Sequence, residues 1–300
     1  MARSNFQNHI EFLFLKVVLF FIQLFPMSFA MNISQIFAVI AYYLVPIRRR
    51  YVISALSLSF PQKSKKEILQ IIKNMYKNIG RMIIGIAFIP TFSNEKLKDM
   101  MKIDEQKILQ AHKKGKGIVI MSAHLGNWEL TAISMSKRYP VSVIIASQSN
   151  PFIDRLLNDI RVGENYKTIS RDLWQSSARQ VLKALKRNEI IAILADQNES
   201  KNGCFVPFFG RDCSMPKGAA LFALRQKCPL FSAFGFYTKD GIMEVEIEEI
   251  ELPKTGDIEA DIKTINTIYS QRLEKFVRQH PEQWLWFHKK WKTKPHARWT

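Results

Sequence analysis

The chain has 300 residues, enough for one large core or two modest ones. Of these 47% are hydrophobic, with 21 Phe against 12 Gly, which excludes a disordered or low-complexity protein. A formal charge of +18 calls for an anionic partner, and nucleic acid, a phospholipid surface, a phosphorylated substrate and an acidic carrier protein all qualify. Cys204, Cys213 and Cys228 are odd in number and lack C-x-x-C spacing, which argues against a disulfide framework and against a zinc site.

Residues 10–31 are mostly Phe, Leu, Val, Ile and Met, about the length of a membrane span. Ser28-Phe29-Ala30 is a small-x-small triplet of the kind a signal peptidase cuts. Against cleavage, Arg3 is the only Lys or Arg before Lys16, and a second apolar stretch occupies 33–46. The first stretch is therefore expected to be an uncleaved single anchor, and the second, too short to span, an interfacial or buried helix. "RRR" at 48–50 places the rest of the chain in the cytoplasm under the positive-inside rule. The chain thus divides into an anchoring segment, 1–46, and one domain, 47–300, with no repeat or linker to split it further.

"KKEILQIIKNMYKNIGRMII" carries Ile68, Ile71, Ile72, Met75, Tyr76, Ile79, Met82 and Ile83 at helical spacing, the pattern of a core-packing helix. From Gly117 onward, "GIVIMSA", "VSVIIAS", "EIIAILAD" and "PLFSAFGFY" read as strands, with helices near 127–138, 151–162, 174–187 and 216–227 between them. "MEVEIEEIEL" alternates like a half-exposed strand. Strands alternating with helices predict an α/β domain with a mostly parallel sheet flanked by helices, binding ligands beyond the carboxyl ends of its strands. His124 stands at one such end and Asp196, in "LADQN", at another.

"SAHLGNWEL", residues 122–130, sets His124 and Glu129 five positions apart, a spacing that brings them together on neither a helix nor a strand. They meet only if the backbone changes element between them: strand, turn at Gly126, N-cap at Asn127, and Glu129 in the first helical turn. A lone His at an apolar strand is usually structural. A carboxylate in reach makes it a candidate general base, because the carboxylate fixes the tautomer and stabilises the imidazolium. No G-x-S-x-G elbow, Walker A loop or G-x-G-x-x-G occurs, so the base is expected to act on a substrate hydroxyl or on water, in direct acyl transfer or hydrolysis.

"HLGNWE" matches the H-x4-[DE] signature of glycerolipid-type acyltransferases. Together with "RRRYVISALSLSFPQKS", "NPFIDRLLNDIR", "ADQN", "GCFVPFFGR" and "HPEQWLWFHKKWKTKP", it makes nearly the whole chain resemble the late acyltransferases of lipid A biosynthesis, the Kdo2-lipid A lauroyl/myristoyl group. The resemblance implies a glycerolipid-acyltransferase-like fold. It also implies transfer of a fatty acyl group from acyl-acyl carrier protein to a hydroxyl of a Kdo-bearing lipid A precursor, at the cytoplasmic side of the inner membrane. In that scheme His124 removes the hydroxyl proton and Glu129 orients and charge-stabilises it. Arg161 suits the carbonyl oxygen or a substrate phosphate, and Asp196 orients donor or substrate; otherwise Arg161 is a surface ion pair and Asp196 a cap. No metal or nucleotide cofactor is implied. The acyl carrier protein, the lipid A precursor and the anionic membrane account for the charge, and the absence of any nucleic-acid motif leaves nucleic-acid binding the weakest reading.

Three readings stay open. The acceptor can be another membrane glycolipid or phospholipid, or water, which would make the protein a hydrolase. "GCFVPFFG" is either a loop near the acyl tunnel or a core-facing turn. The tail interleaves Trp284, Trp286, Phe287 and Trp291 with lysines, which suits a membrane interface, though a packed helix end reads the same way. His280, His288 and His296 recur every eight residues, without the carboxylate or Cys pattern of a metal site.

Overall fold

The computed structural model describes residues 4–161, 165–172, 174–200, 202–238 and 241–295, so His296 lies outside the described residues. In chain order they form α1 (Asn5–Gln23), α2 (Met27–Leu44), α3 (Arg49–Ser59), α4 (Lys65–Phe88), α5 (Asn94–Asp99), β1 (Met101–Ile103), α6 (Glu105–His112), β2 (Ile118–Ser122), α7 (Trp128–Ser136), β3 (Val141–Ile145), α8 (Pro151–Arg161), β4 (Tyr166–Ser170), α9 (Trp174–Lys186), β5 (Ile190–Leu194), β6 (Cys204–Phe208), β7 (Arg211–Met215), α10 (Gly218–Gln226), β8 (Leu230–Tyr237), β9 (Met243–Glu249) and α11 (Ile258–Gln279).

Seven strands form one sheet in the order β1-β9-β8-β2-β5-β3-β4. β8, β2, β5, β3 and β4 are mutually parallel, while β9 turns back on β8 and β1 runs in the direction of β9. The protein is thus an α/β fold with a mostly parallel sheet flanked by helices. β2 shows why its apolar run is continuous: Val119 and Met121 enter the core on one face of the sheet, and Ile118 and Ile120 the core on the other.

The apolar N-terminal stretch is two helices rather than one span over 10–31. Pro26 has φ −56° and ψ 142° and no N–H to donate, so the helix stops before it and restarts at Met27. The second stretch is then longer than the sequence suggested: α2 has 18 residues, and both α1 and α2 are long and apolar enough to cross a membrane by length and composition. Both are tied to the rest of the chain, α1 near its two ends and α2 along α4. Near the start of α1, Asn150 Nδ2 donates to the Asn8 carbonyl at 2.9 Å and to Glu11 Oε2 at 3.1 Å, and the rings of His9 and Phe152 lie 4.0 Å apart. At its end Gln23 Nε2 donates to the Ala87 carbonyl at 2.6 Å. α2 lies against α4, with Ala30 among Ile84, Ala87 and Phe88, and with Tyr42 edge-on to Tyr76 at 5.8 Å. The outward faces expose Phe6, Phe14, Phe20, Phe37 and Leu44.

"GCFVPFFG" is a β-hairpin. Phe209 and Gly210, at φ 51° and 67°, make the two-residue turn between β6 and β7, and Phe208 and Phe209 are buried. The stretch is therefore the core-facing turn of the two alternatives. The tail resolves in the same way: Trp284, Trp286, Trp291 and even Lys290 are buried, the indoles packed against Phe208 and Phe209, so they form core rather than a headgroup belt. Only Lys289, Lys292 and Lys294 of that segment's lysines face solvent.

Candidate active site

β2 and β5 are neighbours in register, with Ser122 opposite Leu194. Two residues beyond each strand end, the chain places His124 and Asp196 side by side. His124 Nδ1 donates to Asp196 Oδ1 at 2.8 Å, and the His124 backbone N–H donates to Oδ2 at 3.0 Å. Trp284 Nε1 adds a third donor to Oδ2 at 2.8 Å. Asp196 is only 1% exposed, whereas the imidazole retains access to solvent. Burial alone would raise the Asp196 carboxyl. The adjacent His124 ring, the hydrogen bonds from His124 and Trp284, and Lys290 together bring it well below the ordinary carboxylate range instead. An ionised Asp196 only accepts, so neutral His124 carries its proton on Nδ1 and its lone pair on Nε2.

The carboxylate on His124 is therefore Asp196, and the expectation that Glu129 would fill that place is corrected. Turn and cap form as the sequence suggested: Gly126 has φ 57°, and Asn127 Oδ1 accepts from Leu130 N–H at 3.1 Å. In the first turn of α7, however, Glu129 turns away to Arg161, the last residue of α8. Arg161 donates from Nε to Glu129 Oε2 at 2.9 Å and from Nη2 to Oε1, a bidentate pair that is mostly buried. A carboxylate next to a guanidinium prefers this planar match to a single imidazole N–H. A double-mutant cycle on unfolding free energy should accordingly give a Glu129–Arg161 coupling of about 1–3 kcal/mol and a Glu129–His124 coupling near zero. The reverse ranking would return Glu129 to the histidine.

Gly126 lets the chain pass from β2 into α7. A Cβ there would lie 2.5 Å from the Gly235 carbonyl oxygen of β8, and its φ is one that L-residues rarely adopt. Gly126→Ala is expected to cost at least about 1–3 kcal/mol in denaturant unfolding; wild-type stability would show that the turn relaxes freely.

The far wall comes from the tail, which spacing alone did not reveal. Leu285 N–H donates to the His124 carbonyl and Gly126 N–H to the Gln283 carbonyl, each at 3.0 Å, so residues 283–285 run alongside the motif. This brings the His288 ring to 4.9 Å from that of His124, with Trp128 edge-on to His124 at 5.0 Å. Gln197 Nε2 lies between the two histidines. Burial, then the neighbouring His124 ring and the charges of Arg48 and Lys290, push the His288 pKa from 6.5 to about 4, with Asp196 opposing. Folded His288 is neutral where the unfolded chain would be charged, so its contribution to stability is full above pH 6.5 and is lost as pH falls toward 4. His288→Gln is expected to unfold with less acid sensitivity across that window, measured by denaturant titration at several pH values. Equal sensitivity would assign the acid loss to other groups.

The arrangement offers an imidazole nitrogen backed by a buried carboxylate at the carboxyl end of a parallel sheet, with the Glu129–Arg161 pair at the first turn of the helix that follows. That is the equipment to take a proton from a hydroxyl and hold it through a reaction. Among the described residues no group of three or more His, Cys, Asp or Glu is placed to hold a metal ion.

The sequence is 24% identical to a lipid A biosynthesis palmitoleoyltransferase of Escherichia coli, over 80% of this chain and 77% of that protein. It is also 24% identical to a lipid A biosynthesis lauroyltransferase of the same organism, over 83% and 80%. A phosphatidylinositol mannoside acyltransferase of Mycolicibacterium smegmatis is 22% identical over 68% and 66%. The sequence model described as bacterial lipid A biosynthesis acyltransferase matches residues 3–293, which include the β2–α7 turn, β5 with Asp196, and the tail that closes the site. The chain belongs to that family and is an O-acyltransferase.

Proposed function

We propose that the protein transfers a fatty acyl group from acyl-acyl carrier protein to a free hydroxyl of a Kdo-bearing lipid A precursor, with His124 as general base. The observation that carries this reading is the His124–Asp196 pair, built at the ends of adjacent parallel strands in a chain of this family. The acceptor hydroxyl gives its proton to Nε2, its oxygen bonds to the thioester carbonyl carbon, and Asp196 stabilises the imidazolium. The tetrahedral oxyanion then collapses, the C–S bond breaks, and the carrier thiolate takes the proton from His124. Glu129 engages Nε and Nη2 of Arg161, which leaves Nη1 for a substrate oxygen, either the developing oxyanion or a lipid phosphate.

On this reading the enzyme works at the cytoplasmic face of the inner membrane. α1 and α2 sit in the leaflet as a hairpin against α4, because an upright span by α1 would draw the chain bonded to both its ends into the hydrocarbon. Arg48–Arg50 and the excess positive charge face anionic headgroups and the acidic carrier.

The test is transfer of labelled acyl chain from acyl-acyl carrier protein to Kdo-bearing lipid A precursor in mixed micelles, with phosphatidylinositol mannoside and phospholipid as parallel acceptors. Acylation of the precursor supports the reading. The 22% identity to a phosphatidylinositol mannoside enzyme gives the second acceptor its place, and acylation of that lipid alone would replace the first. Release of free fatty acid irrespective of acceptor would make the protein a hydrolase.

A further inference from the structure

His124 Nε2, the nitrogen that faces the acceptor hydroxyl in the proposed reaction, is already hydrogen-bonded. Gln197 Nε2 lies 3.1 Å from it and 3.0 Å from His288 Nε2. Asp196 accepts the hydrogen bond from the Nδ1–H of His124, so Nε2 accepts in turn, and the group facing it is the NH₂ end of Gln197. The amide's second N–H then goes to His288, whose Nε2 must also be unprotonated. Gln197 is the next residue after Asp196, so the stretch of backbone that sets the carboxylate behind the imidazole also sets the amide in front of it.

We propose that Gln197, braced by His288, is a positioning residue that covers the basic nitrogen between turnovers and thereby suppresses hydrolysis of the acyl donor. The inference rests on His124 being the base. In the suppressed reaction, water gives a proton to His124 Nε2 and its oxygen bonds to the thioester carbonyl carbon. The C–S bond breaks, and the carrier thiolate recovers the proton, leaving free fatty acid and carrier thiol. Water brings no other contacts with which to displace a doubly bonded amide. A lipid acceptor brings apolar contacts along its acyl chains and polar ones along its sugars, and that binding energy can move the amide aside. The bond to His288 fixes the amide's orientation, so that without it the cover has one anchor and lies in front of His124 Nε2 for less of the time. A cover of this kind taxes transfer lightly and hydrolysis heavily.

The experiment uses the full chain in micelles with labelled acyl-acyl carrier protein and compares wild type, Gln197→Ala, His288→Ala and His124→Ala. The readout is the ratio of fatty acid released without acceptor to acyl group transferred with it. Gln197→Ala is expected to raise this ratio about five-fold or more, the scale of one lost hydrogen bond of ordinary strength. His288→Ala should raise it by less, since Gln197 keeps its bond to His124. A general loss of structure would lower both activities together and leave the ratio unmoved. An unchanged or reduced ratio in folded Gln197→Ala overturns the proposal, and if that variant does not fold, Gln197→Ser is read by the same criterion. Failure of the underlying reading is distinguishable, because His124→Ala would then retain transfer.

Discussion

His124→Ala should lower acyl transfer by about 10²–10⁴-fold, the contribution of a positioned general base, without unfolding the protein. The fold should survive because Asp196 keeps two donors when the imidazole is gone: the backbone N–H at position 124 and the Trp284 indole. The loss should fall on kcat rather than KM, since the proton is shared only as the reaction proceeds. Initial rates alongside thermal melts monitored by circular dichroism test this. A folded variant with near-normal turnover removes His124 from the mechanism.

Asp196→Asn should be about as damaging, for a reason that can be derived atom by atom. Oδ2 of Asp196 accepts from two donors, the His124 backbone N–H and Trp284 Nε1. An asparagine must place its carbonyl oxygen there, which turns its NH₂ toward His124 Nδ1. That nitrogen is then forced to accept, the proton moves to Nε2, and the base presents N–H to the hydroxyl it should deprotonate. The same tautomer error in a Ser-His-Asp triad costs about 10⁴-fold in kcat, and a loss of about 10³–10⁴-fold is expected here with little change in stability. Asp196→Ala would add instability of about 1–3 kcal/mol, because the buried indole N–H loses its acceptor. Transfer by Asp196→Asn within ten-fold of wild type would show that the carboxylate is not required to hold the tautomer.

The sheet was readable where strands are buried on both faces. β2, β3, β5 and β8 are mainly apolar runs because almost all of their apolar residues meet a core on one side or the other. β4, "YKTIS", is an edge strand with exposed Lys167 and Ser170, and its pattern does not separate it from a loop. α11 is too polar on its outer face to have been singled out, although Ile262, Ile265, Tyr269, Leu273 and Phe276 recur on its buried one. At the site, His124 and Asp196 were each legible as residues at strand ends. Their pairing was not, because it depends on β2 lying beside β5, which no local stretch encodes. Sequence proximity therefore favoured Glu129, five residues away, over a carboxylate 72 residues away that the sheet brings to 2.8 Å. The tail misled for a chemical reason: tryptophans and lysines in alternation suit a headgroup layer and equally suit a core from which Lys289, Lys292 and Lys294 reach solvent while Lys290 stays inside.

The distances along the chain that made the site hard to read also govern when it comes into being. The bonds that assemble it close loops of 72, 73, 88 and 91 residues, and 32 more separate Glu129 from Arg161. Loop closures of that size come after formation of the sheet rather than before it. A chain in mid-folding, or one still emerging from the ribosome, has its histidine but neither the carboxylate behind it nor the wall in front. The proposed base is complete only once the sheet has formed, so competence is expected to arrive together with the native state.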